Sequence, residues 1–240
     1  MDRSPHPNQA FYDELWTRED EELSRHERDR FALILRLAQH LPRPNGLILD
    51  AGCGTGKLSA RLRALGEVTA IDWSSGGLAI ARGRVPGVRF EQHDLVREEL
   101  AGLRGRFGLT VSSEVLEHVG REHRSRAVRA LATTLGAGGF LILTTPNATT
   151  ARGLRDLGAL YQPDDDLLEP EETLSLVSEA GLDVRETRTA TFLERAWEKS
   201  PFFRRVRTSL PGRLAGWDIV DRVLSTSRRG LYFVVVARRS

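Results

Sequence analysis

The chain has 240 residues, of which 40% are hydrophobic and 28% are charged; this composition is typical of one large globular domain and excludes a disordered or fibrous chain. The net charge of +2 is too small to require a nucleic-acid partner, and no apolar run approaches the roughly 18 residues of a membrane span. The polar first residues lack the apolar core of a secretory signal, and the single cysteine, Cys53, excludes an internal disulfide framework, so we expect a cytoplasmic protein.

The first predicted elements are helical. Residues 8–25 are polar and acidic with an apolar stripe, which predicts an amphipathic arm, and residues 28–41 repeat apolar side chains at three- and four-residue intervals, which predicts a packed helix. Short apolar runs then alternate with helical patterns, and a glycine-rich turn is predicted at 136–139. The predicted strands are 47–49, 68–71, 88–92, 109–113 and 140–144, and the predicted helices are 57–65, 78–82, 124–135 and 170–180.

This alternation is typical of crossover connections, so we predict an α/β domain built on a parallel sheet. Two further strands are predicted at 182–191 and 230–237. We divide the single domain 1–240 into an N-terminal helical arm (1–41), a core (45–191 and 230–238) and a cap insertion (192–229). The insertion holds nine basic and four acidic side chains, and we predict that it covers the substrate together with the acidic residues 1–30.

A glycine-rich segment, AGCGTG at 51–56, follows the first predicted strand. Glycines at such a place let the backbone approach a ligand, and the next helix presents free N–H groups. The segment does not match a phosphate-binding P-loop, because Ala51 replaces its first glycine and Leu58 replaces the Ser/Thr that holds Mg²⁺. It does not match the dinucleotide fingerprint either, since Gly52, Gly54 and Gly56 lack the G-x-G-x-x-G spacing.

Three carboxylates lie where predicted strands end. Asp50 precedes the first glycine and suits a cationic ligand, and Asp72 ends the second strand, where a carboxylate accepts from ribose hydroxyls. Asp94 ends the third strand and could accept from an adenine amino group. The alternatives are helix caps, with Asp72 placed before Ser74 and Ser75, and Asp94 placed before the segment 95–100. A nucleoside with a positive charge and no phosphate, S-adenosylmethionine (SAM), satisfies all three carboxylates.

Four motifs, in this order and spacing, resemble those of class I SAM-dependent methyltransferases. They are LDAGCGTG at 49–56, AID at 70–72, HDL at 93–95 and SEVLEHV at 113–119, and they are most similar to the ubiquinone-biosynthesis O-methyltransferases and related small-molecule methyltransferases. The resemblance implies a Rossmann-like fold whose mostly parallel seven-stranded sheet is flanked by helices. The predicted cofactor contacts come from Asp50, Gly52, Cys53, Gly54, Gly56, Asp72, Trp73, Asp94, Leu95 and Ser113.

An arginine of the predicted helix 28–41 has two interpretations. In the similar methyltransferases an arginine reaches the methionine carboxylate of the cofactor, and the resemblance implies that Arg30 could do the same. The alternative is that this side chain belongs to a solvated helix face. We favour the solvated face, because most charged side chains of such a helix point into water.

The segment after the fourth strand carries the predicted catalytic residues, Glu114, Glu117 and His118. If Glu114 begins a helical turn, the spacing i, i+3, i+4 places all three on one side. They could then hold a divalent ion such as Mg²⁺ that lowers the pKa of a substrate hydroxyl. Alternatively, His118 is a metal-free general base with a pKa suited to neutral pH, or the turn is only structural.

The residues after the fifth predicted strand leave open whether Glu114, Glu117 and His118 hold a metal ion. The similar enzymes have a further histidine after the fifth strand, whereas no histidine lies between residues 147 and 194 of this chain. Instead, the acidic residues 164–166 and Glu169 form either a solvated loop or substitute ligands.

We predict methyl transfer from SAM to a small molecule, at a hydroxyl oxygen of a biosynthetic intermediate. The alternatives are an RNA 2′-O-methyltransferase, which the acidic first 30 residues disfavour, and a SAM-binding partner protein without catalysis. The sequence TTPN at 144–147 differs from the Asn/Asp-Pro-Pro-Tyr signature, which disfavours base N-methylation. The acceptor and the oligomeric state, monomer or homodimer, stay open.

Overall fold

A computed structural model describes residues 16, 22–97, 100–155, 166–190 and 230–240. Single 3₁₀ turns occur at Ala101–Leu103, Leu116–His118 and Arg121–His123. The helices are α1 (Arg25–His40), α2 (Ser59–Leu62), α3 (Ser75–Arg84), α4 (Arg124–Thr134), α5 (Ala148–Arg155) and α6 (Pro170–Glu179). The strands are β1 (Leu47–Ala51), β2 (Glu67–Asp72), β3 (Arg89–Gln92), β4 (Phe107–Ser113), β5 (Leu135–Pro146), β6 (Leu182–Ala190) and β7 (Tyr232–Arg239).

The seven strands form one sheet in the order β3-β2-β1-β4-β5-β7-β6. Strands β1 to β5 are parallel, and β7 is antiparallel to both β5 and β6. The predicted Rossmann-like α/β fold is therefore confirmed. The strand order reverses between β1 and β4, and the carboxyl ends of strands at such a switch point border the ligand crevice of an open sheet.

Alternation along the strands supplies a hydrophobic core on each face of the sheet. On one face, Ile48 of β1 packs with Ile34 of α1, and on the other face Leu49 packs with Leu131 of α4. All four side chains are fully buried. Successive residues of a strand point to opposite faces, so one short apolar run in β1 contributes to both cores. This burial on both faces fixes the position of the carboxyl end of β1 at the edge of the sheet.

Helix α1 begins three residues earlier than predicted because the chain caps it. The Ser24 hydroxyl accepts from the Glu27 N–H (3.2 Å), and the Glu27 carboxylate accepts from the Ser24 N–H (2.7 Å). This capping box satisfies two N–H groups that the first turn would leave without partners. The apolar periodicity alone starts only at residue 28, so it missed this polar first turn.

The predicted turn at 136–139 is wrong, because these residues belong to β5. Pairing with β4 jumps from Phe107–Leu135 to Leu109–Phe140, so the glycines form an irregular part of the strand instead of a separate turn. Helix α2 is also shorter than its predicted range, 57–65. The remaining predicted strands and helices are present, and Gly181 (φ +79°) follows the end of α6 as a glycine cap.

Parts of the sequence predictions lie outside the described residues. They include the cap insertion at 192–229 and most of the amphipathic arm, so the division of the chain into arm, core and cap stays a prediction. Within the described ranges, no helix has the length and apolar composition needed to cross a membrane.

Candidate active site

The glycine loop lies at the carboxyl end of β1 and is bound to the end of β2. The N–H groups of Gly52 and Cys53 both donate to the Ile71 carbonyl, at 2.8 and 3.0 Å. Gly52 has φ +81°, and a Cβ added there would lie well under 3.0 Å from Cγ2 of Val115. This position therefore requires glycine both for its backbone conformation and for the close approach of the segment after β4.

Asp72 joins the glycine loop to the start of α3. Its buried carboxylate accepts from the Gly54 N–H through Oδ2 and from the Ser74 N–H through Oδ1, both at 2.8 Å. Burial raises the pKa of this carboxyl, and its backbone hydrogen bonds oppose the shift. The helix cap is Ser74, whose hydroxyl accepts from the Gly77 N–H. Each carboxylate oxygen keeps further acceptor capacity, so the predicted ribose contact fits this geometry and stays a prediction.

Asp50 has an internal partner on α2. It is 1% exposed, and its Oδ2 accepts from the Ser59 hydroxyl at 2.5 Å. Burial raises the pKa of Asp50 to about 7, although the Ser59 hydrogen bond acts in the opposite direction. The Asp50 carboxyl therefore joins β1 to helix α2. Its contact with a cationic ligand stays a prediction.

The segment after β3 shows the capping geometry that was the alternative for Asp94. Its Oδ1 accepts from the N–H groups of Val96 (2.8 Å) and Arg97 (3.1 Å). Leu95 is buried in the core, and the Trp73 carbonyl accepts from the Gln92 side chain (2.9 Å), which joins this segment to the end of β2. A cap does not use all the acceptor capacity of a carboxylate, so the adenine contact of Asp94 stays a prediction.

The end of β4 places Glu114 differently from the sequence prediction. Glu114 does not begin a helical turn: it has φ +59°, a left-handed conformation that is uncommon for a residue other than glycine, and the turn begins only at Leu116. Its Oε1 accepts from the Thr144 hydroxyl on β5 at 2.8 Å. The Ser113 hydroxyl also contacts the Thr144 hydroxyl, at 2.9 Å, so one buried threonine joins both side chains.

Glu117 and His118 lie together in the turn after β4. Glu117 is buried, and its Oε1 lies 3.9 Å from Nε2 of His118. Burial lowers the pKa of His118 to about 4. The expectation of a His118 pKa near neutrality is therefore wrong for this structure, because the imidazole is far less exposed than a surface turn would leave it.

The three predicted metal ligands do not form a metal site. Among the described residues, no group of three or more His, Cys, Asp or Glu side chains is arranged to hold a metal ion. Glu114 directs its carboxylate to Thr144 and Arg30, while Glu117 is buried beside His118. The helical spacing that motivated the metal does not exist here, so Mg²⁺ does not fit this arrangement.

Arg30 lies in the site and not on a solvated helix face, so that prediction is wrong. It is 9% exposed, and its Nη1 lies 3.7 Å from Oε2 of Glu114. Its guanidinium carbon lies 4.6 Å from the ring centroid of Tyr232, the first residue of β7. One turn earlier on α1, Glu27 pairs with Lys57 after the glycine loop (3.2 Å). Helix α1 therefore contacts the segments that follow both β1 and β4.

Three side chains of the site were not predicted as site residues: Thr144, Tyr232 and Trp16. Tyr232 pairs with Pro146 in the antiparallel register of β7 and β5, which brings it to the carboxyl edge of the parallel strands. The indole of Trp16 lies against the glycine loop, within 3.3 Å of where a Cβ of Gly54 or Gly77 would lie. The sequence offered a signal only for Trp16, which belongs to the apolar stripe of residues 8–25.

Comparison with known proteins identifies the class. Residues 48–139 match a family described as a methyltransferase domain. An N-methyltransferase from Bradyrhizobium japonicum, solved in complex with S-adenosyl-L-homocysteine (SAH), shares the fold with a TM-score of 0.66 at 17% identity, over 97% of this chain and 98% of that one. The resemblance drawn from the motifs is confirmed: the chain contains a class I SAM-dependent methyltransferase domain.

Sequence comparison with curated proteins gives more similar relatives. The chain is 35% identical to a ubiquinone biosynthesis O-methyltransferase of Xanthomonas campestris pv. campestris over 130 residues, which are 52% of this chain and 54% of that protein. It is 38% identical to an uncharacterized protein of Synechococcus sp. over 125 residues, 48% of this chain and 28% of that protein. The chain thus matches about half, or less, of the length of these relatives.

Proposed function

We propose that this protein transfers the methyl group of SAM to a hydroxyl oxygen of a small molecule. The observation that carries the proposal is the glycine loop, which Asp72 binds to the neighbouring strand at the switch point of the sheet. The similarity to a ubiquinone biosynthesis O-methyltransferase supports oxygen as the acceptor atom. An N-methyltransferase shares the same fold, so the fold does not distinguish an oxygen acceptor from a nitrogen acceptor, and the acceptor atom needs its own test.

The residues around the loop fit the cofactor. Gly54 and Gly56 have φ values of +50° and +80°, left-handed conformations that glycine adopts without strain, so they allow the tight turn of the loop at the end of β1. Asp72 would accept from the ribose hydroxyls with its remaining lone pairs, and Asp94 would face the adenine from the next strand end. When bound, SAM supplies a methyl group activated by the positive sulfonium; the protein must align the acceptor with it and remove a proton.

His118 is the proposed proton acceptor. Because burial lowers its pKa to about 4, its imidazole is neutral throughout the physiological range and would take the hydroxyl proton as methyl transfer proceeds. The Glu117 carboxylate, 3.9 Å from Nε2, would stabilise the imidazolium that forms. Glu114, between β4 and this turn, would orient the acceptor hydroxyl.

Cofactor binding is tested by calorimetry with SAH, SAM, NAD and ATP. We expect SAH and SAM to bind and the phosphate-bearing nucleotides not to bind. Asp72→Asn should weaken SAH binding by about 1–3 kcal/mol, since the ribose loses its charged acceptor. The matched control is Thr110→Val, which removes the buried Thr110–Thr134 contact (2.8 Å) in the middle of β4. Binding of ATP as tight as that of SAH, or an unchanged affinity in Asp72→Asn, would contradict the proposal.

The acceptor is tested by mass spectrometry. The protein is incubated with methyl-labelled SAM and two matched panels of small molecules, one of phenols and alcohols and the other of the corresponding amines. We expect methyl ethers as products. Products found only among the amines would overturn O-methylation but leave the methyltransferase activity, whereas SAH binding without any product would favour a non-catalytic SAM-binding protein.

A further inference from the structure

Both oxygens of the Glu114 carboxylate face groups of the protein. Oε1 accepts from Thr144 on β5 at 2.8 Å, and Oε2 lies 3.7 Å from Nη1 of Arg30 on α1. Thr144 is fully buried and also contacts the Ser113 hydroxyl (2.9 Å). The carboxylate is therefore held from two different elements, one neutral donor on the sheet and one cation on the helix above it.

Arg30 is held in turn by aromatic rings. Its guanidinium carbon lies 4.6 Å from the ring centroid of Tyr232 and 5.4 Å from that of Phe31, distances typical of cation–π contacts. Burial, and then the charge of Glu114, raise the pKa of Tyr232, so its hydroxyl stays protonated. The order of contacts is thus Tyr232 to Arg30 to Glu114 to Thr144.

The backbone of Glu114 is strained at the same place. A non-glycine residue in the left-handed region is strained and persists only where its surroundings determine it. Here Glu114 donates its N–H to the Thr144 carbonyl (3.1 Å), while its side chain accepts from the Thr144 hydroxyl. Because the same threonine holds both its backbone and its carboxylate, the conformation of Glu114 depends on β5.

We propose that the Arg30 guanidinium occupies the place of a bound metal ion at Glu114, and that Arg30, Thr144 and Tyr232 are positioning residues that hold this carboxylate for the acceptor. A fixed cation beside a carboxylate neutralises its charge and repels a second cation. The role of Glu114 toward the acceptor rests on the proposed function, whereas the exclusion of a metal from Glu114 does not.

The first test needs no acceptor. Mn²⁺ is titrated into the wild type and Glu114→Gln, and binding is followed by electron paramagnetic resonance. We expect the wild type and Glu114→Gln to bind Mn²⁺ equally: either neither protein binds the ion, or both bind it at sites other than Glu114. Mn²⁺ binding by the wild type that is lost in Glu114→Gln would overturn the proposal, because the carboxylate would then be a metal ligand.

The second test uses the acceptor that the panel screen yields. Thr144→Val should lower kcat at least tenfold with the KM for SAM and the affinity for SAH within about twofold, and Thr144→Ser, which keeps the hydroxyl, should restore most of kcat. Arg30→Gln, and Tyr232→Leu, which removes the ring over the guanidinium, should also lower kcat. Two control variants disrupt contacts of other buried side chains and should keep the wild-type kcat: Thr110→Val, and Arg124→Gln, which disrupts the pair between Arg124 and Glu172 (2.7 Å).

The outcomes separate the inference from the proposed function. A wild type that methylates nothing in the panels contradicts the proposed function, and the Mn²⁺ titration still decides the metal. A wild type that is active, with Thr144→Val and Thr110→Val equally impaired, overturns the positioning role, because the loss would follow stability alone. Failure of Thr144→Ser to restore kcat would also overturn it.

Discussion

Replacement of Gly52 by alanine tests the geometry of the cofactor loop. At φ +81° an alanine would occupy the left-handed region, at a cost of about 1–2 kcal/mol. The added Cβ would also overlap Cγ2 of Val115, and overpacking of this kind costs typically about 1–3 kcal/mol. We therefore expect Gly52→Ala to lower the free energy of unfolding by about 2–5 kcal/mol and to weaken SAH binding, because the loop must move.

The two contributions can be separated with a second substitution. Val115→Ala removes the Cγ2 atom that the new Cβ would meet but leaves the φ of residue 52 unchanged. The double variant Gly52→Ala/Val115→Ala should therefore be more stable than the sum of the single effects predicts, by about 1–3 kcal/mol, since residues in contact are not additive. The remaining loss would report the backbone strain.

Urea unfolding followed by circular dichroism gives the free energies, and calorimetry gives the SAH affinity. The control is Gly83→Ala on α3, where an added Cβ meets nothing within 4 Å; this change should stabilise the protein by up to about 1 kcal/mol. If Gly52→Ala unfolds at the same urea concentration as the wild type, or if the double variant is strictly additive, the reasoning about this loop is wrong.

Two further predictions concern buried titratable groups. The pKa of Asp50 is raised to about 7, so the contribution of this carboxyl to stability is complete below about pH 4 and is lost as the pH rises to 7. Asp50→Asn should therefore remove about 4 kcal/mol of the pH dependence of the free energy of unfolding, measured with urea. The same dependence of this free energy on pH in wild type and variant would contradict the prediction. The pKa of His118 is lowered to about 4, so ionisation of this group should not raise the rate of methyl transfer between pH 6 and 8. His118→Ala should lower the rate by about 10²–10⁴-fold. A rate that rises through pH 6–7 in the wild type but not in the variant would contradict the lowered pKa.

Local patterns were enough to predict the fold, and they also gave a candidate place for the site. The alternation of short apolar runs with helical patterns predicted the parallel sheet, because strand and helix periodicities depend on near neighbours in sequence. The segment 51–56 predicted a ligand loop for a similar reason, since glycines with positive φ permit a turn that few other residues adopt. The capping box of α1 is equally local, but an apolar periodicity cannot reveal it.

The chemistry around Glu114 depends on contacts between distant parts of the chain. Spacing suggested that Glu114, Glu117 and His118 share one side of a helix. Instead, two hydrogen bonds between Glu114 and Thr144, 30 residues away, hold Glu114 in a left-handed conformation. Arg30 was predicted on a solvated face because most charged side chains of such a helix point into water. Only the packing of α1 on the sheet buries it against Glu114 and Tyr232. A pKa depends on desolvation and on nearby charges, and both are properties of the assembled fold, which no spacing in the sequence contains.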